Sequence, residues 1–366
     1  MRKVKLLIFV FTLTIGTQFL ANCQSKDNTF ADHWEFVGIA VEEPGYTIWG
    51  TSPIIGDDGK VHLFVARWPA ELNVTPGWRT HSEIAHYVGD SPEGPFKFSD
   101  VALKGSIEKK EISEENSNPT NNKEKRWDEY APHNPAIHKV DSLYVLLYIG
   151  NNGLKKHPRN QRIGMATSKS LFGPWKKVGK DGLILSPPDN PEYWNHNARN
   201  GVNNPALLQH PKGGYYLYFK SHRARMGLAV AENIEGPYVQ MPFPVTSNNS
   251  NIEDGYAFIY DEKFALLTTD NHGMIEEGGG LLWTSEDGIH FNTYEKGFHH
   301  INDYTDVDME KVAVYYGPKD REYAKFERPQ VLLIDSKPQY LYVPSGTNIY
   351  GGNSTVSYVL RFKEHK

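Results

Sequence analysis

The sequence predicts an all-β fold, a five-bladed β-propeller whose blades are four-stranded antiparallel sheets. Three observations predict it: a composition rich in aromatic residues, glycine and proline, a hairpin pattern that occurs five times, and a second pattern that follows the first four hairpins. Of 366 residues, 13% are aromatic and 32 are Gly and 23 Pro, which is typical of a turn-rich β-structure. A β-sandwich with appended segments is the alternative architecture.

Each hairpin begins at a polar residue, usually followed by proline, and continues as two apolar-aromatic runs around a turn. The first residues of the five hairpins are Ser52, Asn134, Asn204, Asp254 and Arg328. Spacings of 82, 70, 50 and 74 residues are those of a repeated supersecondary unit. Each hairpin therefore predicts the inner strands of one blade.

The second pattern completes the blades. It consists of the end of a third strand, a Gly-containing turn and an outer strand, and it occurs at residues 89–98, 166–178, 229–241 and 282–294. The fifth unit ends with residues 354–362 and has no outer strand of its own. We expect residues 33–41 to supply that strand and close the ring, because closure removes free sheet edges.

The N-terminus predicts export. A basic start and an apolar run from Leu6 to Leu20 indicate a secretory signal peptide over residues 1–22. Cys23, the single cysteine, follows a sequence that resembles a bacterial lipobox and is the predicted lipidation site, with simple signal cleavage as the alternative. We therefore expect an exported protein of a Gram-negative bacterium, either periplasmic or anchored to the membrane as a lipoprotein.

Residues 23–32 are a predicted linker, and residues 33–366 are a predicted single propeller domain. Within it, residues 105–126 are polar and predict a solvated insertion, whereas the long loop 181–203 predicts a rim or lid of a pocket. The net charge of −5 gives no general attraction to nucleic acid. A single Cys excludes an internal disulfide and a thiolate zinc site.

The connectivity of the blades predicts a common mouth. In antiparallel sheets the first strands start where the second strands end, so polar residues at these positions meet at one end of the propeller. Arg and His are well represented there, which favours a cationic funnel for an anionic sugar. The candidate residues are Trp68, His133, Asn134, Asn204, His222, Arg223, Glu253, Asp254, His272, Glu327 and Arg328.

The sequence resembles the five-bladed propeller glycoside hydrolases of families 43 and 117. The resemblance covers residues 33–362 and depends on the five hairpin starts, the GPF, GPW and GPY turns, and the segment HSEIAHYVGDSPEGPF at 81–96. Family 43 implies an Asp base, an Asp that tunes a pKa and a Glu acid close to the hairpin starts.

Most of those carboxylates do not map onto this chain. The first three positions fall on Ser52, on Asn134 and on Asn203 or Asn204, none of which can act as a carboxylate base. Only the fourth and fifth hairpins keep acids, at Glu253, Asp254 and Glu327.

The first functional hypothesis is therefore an elimination. The chain is also similar to the ulvan oligosaccharide dehydratases of marine polysaccharide-degrading bacteria, which implies loss of water from a terminal uronate of an anionic oligosaccharide. His can transfer protons near neutral pH, so we expect His222 or His133 as base and His272, oriented by Asp254 or Asp270, as acid. The predicted substrate-binding residues are Asn134, Asn204, Arg223, Arg328, Glu253, Glu327 and Trp68.

Two other functions stay open. An exo-acting glycoside hydrolase similar to family 117 would draw its acid and base from Glu253, Asp254 and Glu327. A non-catalytic sugar-binding lipoprotein would account for the missing carboxylates. No cofactor is predicted, although the family resemblance allows a structural metal ion on the propeller axis. The pair His299 and His300 lies near acidic residues, as a metal site requires, but a solvated loop pair is the simpler interpretation.

Overall fold

The computed structural model describes residues 29–72, 74–106, 126–152, 160–310, 323–346, 348–349 and 355–363. The predicted signal peptide 1–22, Cys23 and most of the predicted insertion 105–126 lie outside these residues. Among the residues described, no helix has the length and apolar character needed to cross a membrane.

Five antiparallel sheets are arranged as the blades of a propeller. The chain enters through β1 (Trp34–Val41) and then builds blade 1 from β2 (Tyr46–Ile55), β3 (Val61–Pro69), β4 (Glu83–Gly89) and β5 (Lys97–Lys104). Blade 2 contains β6 (Ala131–Val140), β7 (Leu143–Asn151), β8 (Gln161–Ser168), β9 (Lys176–Lys177) and β10 (Leu183–Leu185). Blade 3 contains β11 (Asn203–Gln209), β12 (Tyr215–Lys220), β13 (Met226–Ala231) and β14 (Val239–Gln240). Blade 4 contains β15 (Ile252–Tyr260), β16 (Lys263–Asp270), β17 (Gly280–Ser285) and β18 (Thr293–Phe298), and blade 5 contains β19 (Gln330–Ile334), β20 (Lys337–Pro344), β21 (Ser357–Phe362) and β1.

Helical structure in the described residues is short. The helix α1 (Val74–Thr80), kinked at Thr75, is inserted between β3 and β4. Single turns of 3-10 helix occur at Phe30–His33, His222–Ala224 and Ile301–Asp303.

The ring closes as the sequence predicts. Strand β1 pairs antiparallel with β21, from Trp34 opposite Phe362 to Val41 opposite Ser357, so the first strand of the chain is the outer strand of the last blade. The predicted fold is thus confirmed, and in blade 2 two short strands, β9 and β10, share the outer position beside β8.

The last residues of the predicted linker belong to the fold. Phe30 and Ala31 are buried, and the Phe30 ring packs edge-on against Trp34 at 5.5 Å and Tyr260 at 5.0 Å. This contact of Phe30 with blade 4 anchors the segment before β1 to the propeller, because burial of an aromatic ring stabilises a segment by about 1.5–3 kcal/mol.

The core lies between neighbouring blades. One cluster joins Leu147 of blade 2 to Leu217 and Phe219 of blade 3, and another joins Leu63 of blade 1 to Tyr342 of blade 5. Since each sheet packs against two neighbours, both of its faces are covered, which is why the inner strands read as nearly continuous apolar runs.

A ring of left-handed residues surrounds the axis, one in or just before each inner strand. These residues, called the axial ring below, are Gly50, Asn134, Asn204, Asp254 and Arg328, with φ of 36°, 48°, 52°, 60° and 48°. In blades 1 to 4 the strand register shifts at this position, as in a β-bulge. Gly, Asn and Asp adopt this conformation at the lowest cost, and that explains their recurrence.

In blade 1 the residue equivalent to Asn134 differs from the one that the sequence predicts. Gly50, and not Ser52, occupies the position of Asn134, because the proline of blade 1 lies two residues further along the strand. The Ser52 hydroxyl is buried between blades, where it accepts a hydrogen bond from Ile137 N at 3.0 Å and donates to Gln330 Oε1 at 3.3 Å.

Candidate active site

A cavity of about 440 Å³ lies over the axial ring and receives side chains from all five blades. Three tryptophans and His133, from blades 1 and 2, form an aromatic wall, and charged groups from blades 3 to 5 form a charged wall, with amide side chains also in the lining. Its lining consists of Trp49, Trp68, Val74, Trp78, His133, Asn134, Ile149, Gln161, Asn200, Asn203, Asn204, Lys220, Glu253, Asp254, Asn271, His272, Glu277, Lys325 and Glu327.

Three carboxyl groups, Glu253, Asp254 and Glu327, line the charged wall and are called the carboxyl trio below. Glu253 forms an ion pair with Lys220 at the end of β12. Burial, together with the charge of Glu253, raises the pKa of Asp254 to about 6. Burial and the two neighbouring carboxylates raise the pKa of Glu327 to about 8. At neutral pH the raised pKa therefore keeps a proton on Glu327.

Glu327 is enclosed by protein but not sealed from water. Its surface is partly accessible because it opens on the cavity, while protein atoms surround its other sides. A carboxyl group in this setting keeps its proton at neutral pH and can still reach a bound molecule.

His133 lies on the aromatic wall. Its Nδ1 lies 3.0 Å from the Ser82 hydroxyl, and its ring lies 5.7 Å from Trp68 and 5.2 Å from Trp78. Burial and the positive charge of Arg328 lower the pKa of His133 to about 3. The imidazole is therefore neutral, and a group this weakly basic is poorly suited to remove a proton from carbon.

Arg328 lies beneath the cavity and is completely buried. Its Nη2 donates to the main-chain oxygens of Asn134 at 3.1 Å and Pro135 at 3.2 Å, and its Nη1 lies 3.7 Å from Asp254 Oδ1. The guanidinium thus crosses from blade 5 to blades 2 and 4 and closes the floor.

Comparison with solved structures identifies the architecture. The chain matches a family 117 glycoside hydrolase produced by the marine bacterium Zobellia galactanivorans over 90% of both chains, with 16% identity and a TM-score of 0.59. It matches the calcium-free form of a family 43 β-xylosidase/α-arabinofuranosidase from a compost metagenome, in complex with xylotriose, over 91% of this chain and 96% of that one, at 14% identity and a TM-score of 0.56. The fold is that of the propeller glycoside hydrolases. No protein-family model and no curated protein matches the sequence.

On this propeller, eight of the eleven candidates from the sequence line the cavity. They are Trp68, His133, Asn134, Asn204, Glu253, Asp254, His272 and Glu327. Topology alone brings them together, because the inner strands start and the second strands end at the same end of the propeller. Their roles in binding or catalysis stay predictions.

His222, Arg223 and Arg328 do not line the cavity. The strand β12 ends at Lys220, and a hydrogen bond of 3.0 Å from Ser221 N to Arg225 O closes a turn that carries His222 and Arg223 past the rim, with Arg223 exposed. Arg328 is sealed below the floor and cannot contact a uronate in the cavity.

Both predicted partners of His272 have other contacts. Asp254 faces the guanidinium of Arg328 at 3.7 Å. Asp270 accepts main-chain N–H groups of Met274, Ile275 and Glu276 at 2.8, 2.8 and 3.0 Å. This carboxylate therefore shapes the loop after β16 and does not orient His272, which is an exposed residue at the cavity mouth.

The predicted cationic funnel is wrong. Among the described residues, the lining contains no arginine, and its two lysines already face carboxylates of the same lining. Lys220 pairs with Glu253, and Lys325 lies 3.1 Å from Glu277. Arg67, near the end of β3, is buried between Glu43 and Glu83 in blade 1 and does not line the cavity.

The loop 181–203 is mostly an interblade packing segment. Trp194 packs against the core of blades 2 and 3, and Asn195 Nδ2 donates to Gln240 Oε1 at 3.0 Å. Only Asn200 and Asn203 reach the cavity, so the segment is a rim at its C-terminal end.

Several lining residues were not found from the sequence. Lys220 is the last residue of β12 and would have been found if the strand end had been placed there. Trp78 belongs to the inserted α1, for which no repeat pattern exists. Outside the predicted rim 181–203, the full set is Trp49, Val74, Trp78, Ile149, Gln161, Lys220, Glu277 and Lys325.

Metal-binding groups occur away from the cavity. Glu276, His299 and Asp303 bring three ligand-type atoms within 4.8 Å of one another, but Lys296 Nζ lies 2.6 Å from Glu276 Oε2. Hydrogen bonds and an ion pair therefore account for this cluster without a metal. On the axis, the carbonyl oxygens of Asn134 and Pro135 accept hydrogen bonds from the guanidinium described above, which does not fit the structural metal ion that the family resemblance allows.

Proposed function

We propose that the protein is an exo-acting glycoside hydrolase. The observation that carries the proposal is the carboxyl trio, whose members face one cavity and in which the pKa of Glu327 is raised to about 8 and that of Asp254 to about 6. Glycoside hydrolysis needs one carboxylic acid to protonate the leaving oxygen and one carboxylate to assist water or attack the sugar. Environments that drive neighbouring carboxyl pKa values apart assign these two roles.

Glu327 is the proposed general acid, because burial keeps its proton in place at neutral pH. Glu253 is the proposed carboxylate, because Lys220 pairs with it and leaves it accessible at the cavity wall. Asp254 follows Glu253 in the chain and is buried, so it acts on Glu327 through its charge, which helps to hold the acid proton.

The shape of the cavity supports attack at a chain end. The axial ring and the Arg328 side chain close its floor, so a glycan enters from the mouth with its terminal sugar. A volume of about 440 Å³ is in the range of ligand pockets and accommodates a few sugar units. The neighbouring structures named above are glycoside hydrolases, and one of them is bound to xylotriose.

The charge balance of the lining supports a neutral sugar. Lys220 and Lys325 are each matched by a carboxylate, which leaves neither lysine as a dedicated partner for a uronate or sulfate. The alternative elimination from a uronate-ended oligosaccharide of the ulvan type would need one of these pairs to open and a base other than His222, which lies off the cavity.

The test is product analysis on a panel of neutral oligosaccharides and uronate-ended oligosaccharides. We expect new reducing ends from a neutral substrate and loss of this activity by about 10²–10⁴-fold in Glu327→Gln. Glu277→Gln is the matched control, since it removes a lining carboxyl group outside the trio and should retain most activity. An unsaturated uronate with loss of one water would establish the dehydratase instead, and thermal stabilisation without any product would establish a sugar-binding protein.

A further inference from the structure

We propose that the guanidinium of Arg328 is the permanent cation of the propeller axis and takes the place of a bound metal ion. This inference concerns the fold beneath the cavity. It goes beyond the proposed hydrolysis and does not depend on it.

The contacts of Arg328 are of the kind that a hard metal ion would make. Its Nη2 bonds to two main-chain carbonyl oxygens of blade 2, and its Nη1 faces the carboxylate of Asp254 in blade 4 at 3.7 Å. Its own main-chain N–H donates to Thr269 Oγ1 at 3.2 Å. Carbonyl and carboxylate oxygens are the ligands that Ca²⁺ takes in proteins, so the guanidinium uses an oxygen set of that type.

The neighbouring residues leave room for this side chain. A Cβ atom added to Gly50 would lie 3.4 Å from Arg328 Cγ and 2.9 Å from Asn134 Oδ1. The ring position of blade 1 is thus filled by the arginine of blade 5 and the asparagine of blade 2. The absence of a side chain at Gly50 therefore leaves the space that the Arg328 side chain occupies.

The charge of Arg328 persists in spite of its complete burial. Burial lowers the pKa of Arg328 only to about 10, so the group is cationic at neutral pH. A divalent ion placed among the same oxygens would be repelled by the guanidinium and would find the two carbonyl groups already hydrogen-bonded. The positive charge on the axis therefore comes from the Arg328 side chain.

The charge on Asp254 depends on this arrangement. The titratable groups that face Asp254 are Glu253, Glu327, Lys220 and Arg328, and only Lys220 and Arg328 favour its ionised form. Loss of the guanidinium would leave a buried carboxylate without its nearest counter-charge. The cost of such a change is large, because one charge stays buried and uncompensated.

The first experiment uses wild-type protein and needs no variant. We expect the same Tm in EDTA, in Ca²⁺ and in Mg²⁺, and no bound divalent metal after dialysis. The same series in His299→Gln separates the axis from the outer cluster at Glu276 and Asp303. A chelator that lowers the Tm of both proteins, with recovery on addition of Ca²⁺ or Mg²⁺, would overturn the proposal.

The second experiment changes the cation. We expect Arg328→Met to lower the Tm by on the order of 5–10 °C, with a deficit that grows as the pH rises through about 6, where Asp254 ionises. Arg328→Lys keeps the charge and should lose less. Arg67→Met is the matched control, because it removes another buried guanidinium that lies away from Asp254, so its Tm deficit should not follow this pH range.

An Arg328→Met protein that is as stable as wild type at every pH would contradict the proposal. If this variant does not fold, Arg328→Lys and the wild-type chelator series still decide the question. Since Tm and metal content are measured without substrate, failure of the proposed hydrolysis would leave these results unaffected.

Discussion

Replacement of Glu327 by Gln should make the protein more stable and, at the same time, inactive. Glu327 lines the cavity and is largely enclosed by protein, and this burial with the two neighbouring carboxylates raises its pKa from 4.5 to about 8. In the unfolded chain this carboxyl group is ionised at neutral pH, whereas in the folded protein it is protonated. Folding at neutral pH must therefore take up a proton at this site.

The size of the effect follows from the two pKa values. Each pH unit between the pKa of the unfolded chain and the pH of the experiment costs about 1.36 kcal/mol, so a Glu with pKa 4.5 unfolded and about 8 folded costs about 3 kcal/mol at pH 7. Below about pH 4 the group is protonated in both states and the cost disappears. The penalty grows with rising pH and reaches its full value above the folded pKa. Gln has the same shape and no charge, so it removes the penalty.

The assay is urea denaturation of wild type and Glu327→Gln across the acid to neutral range. We expect equal stability near about pH 4 and a gain of about 3 kcal/mol for the variant near about pH 7, with activity lost throughout. Glu277→Gln should show no such pH-dependent gain, because its carboxylate is paired with Lys325 at 3.1 Å. A Glu327→Gln protein that is less stable at neutral pH, or whose gain is independent of pH, would refute the protonated state on which the proposed acid depends.

Three further predictions concern the scaffold. Gly50→Ala should lower the free energy of unfolding by about 1–3 kcal/mol in urea titrations. The reason is that position 50 has a φ of 36° and that a Cβ there would lie 2.9 Å from Asn134 Oδ1. Unchanged stability would show that position 50 is not crowded by its neighbours on the axis. Although burial opposes it, the hydrogen bond with Glu276 raises the pKa of His299. The stabilisation from this pair is therefore complete below about pH 6.5 and is lost as the pH rises through the folded pKa. The stability deficit of His299→Gln should shrink with rising pH, and a deficit that grows would refute the charged pair. Asp270→Asn removes a carboxylate that accepts hydrogen bonds from three main-chain N–H groups. It should lower the free energy of unfolding by about 1–3 kcal/mol and speed up hydrogen exchange of the amides of residues 274–276. Unchanged exchange would show that other contacts hold this loop.

The sequence predicts the propeller well because every blade imposes the same pattern of buried residues on the chain. Each blade needs the same two buried hairpin strands, so the apolar pattern recurs wherever a blade recurs, and the N-terminal strand fits only the open edge of the last blade. The same topology brings Glu253, Asp254 and Glu327 to one cavity. Positions that depend on strand ends in an antiparallel repeat are thus accessible from the sequence.

Side-chain direction is not accessible in the same way. Arg223 and Arg328 both lie at predicted mouth positions, yet a closed turn carries the first to the surface and the crowded axis buries the second. Trp78 reaches the cavity because α1 packs on Trp68 at Gly77, where an added Cβ would lie 2.5 Å from the indole. Such contacts arise from tertiary packing and leave no repeat in the sequence.

The position of blade 1 in the axial ring is a second feature that the sequence alone does not predict. Proline follows the left-handed residue in blades 2, 3 and 5 but lies later in blade 1, so alignment on proline selects Ser52 in place of Gly50. The backbone conformation, and not the proline, defines the axial ring. Because Gly50 has no side chain, blade 1 contributes no carboxylate to the axial ring, and the proposed acid and carboxylate come from blades 5 and 4.

The most direct test of the proposed hydrolysis is mass analysis of the products formed from a defined neutral oligosaccharide in water enriched in heavy oxygen. The account predicts that wild-type protein releases the terminal sugar with one heavy oxygen incorporated per bond cleaved, and that Glu327→Gln does not. A product lighter than its substrate by one water, or no product from any oligosaccharide of the panel, would contradict it.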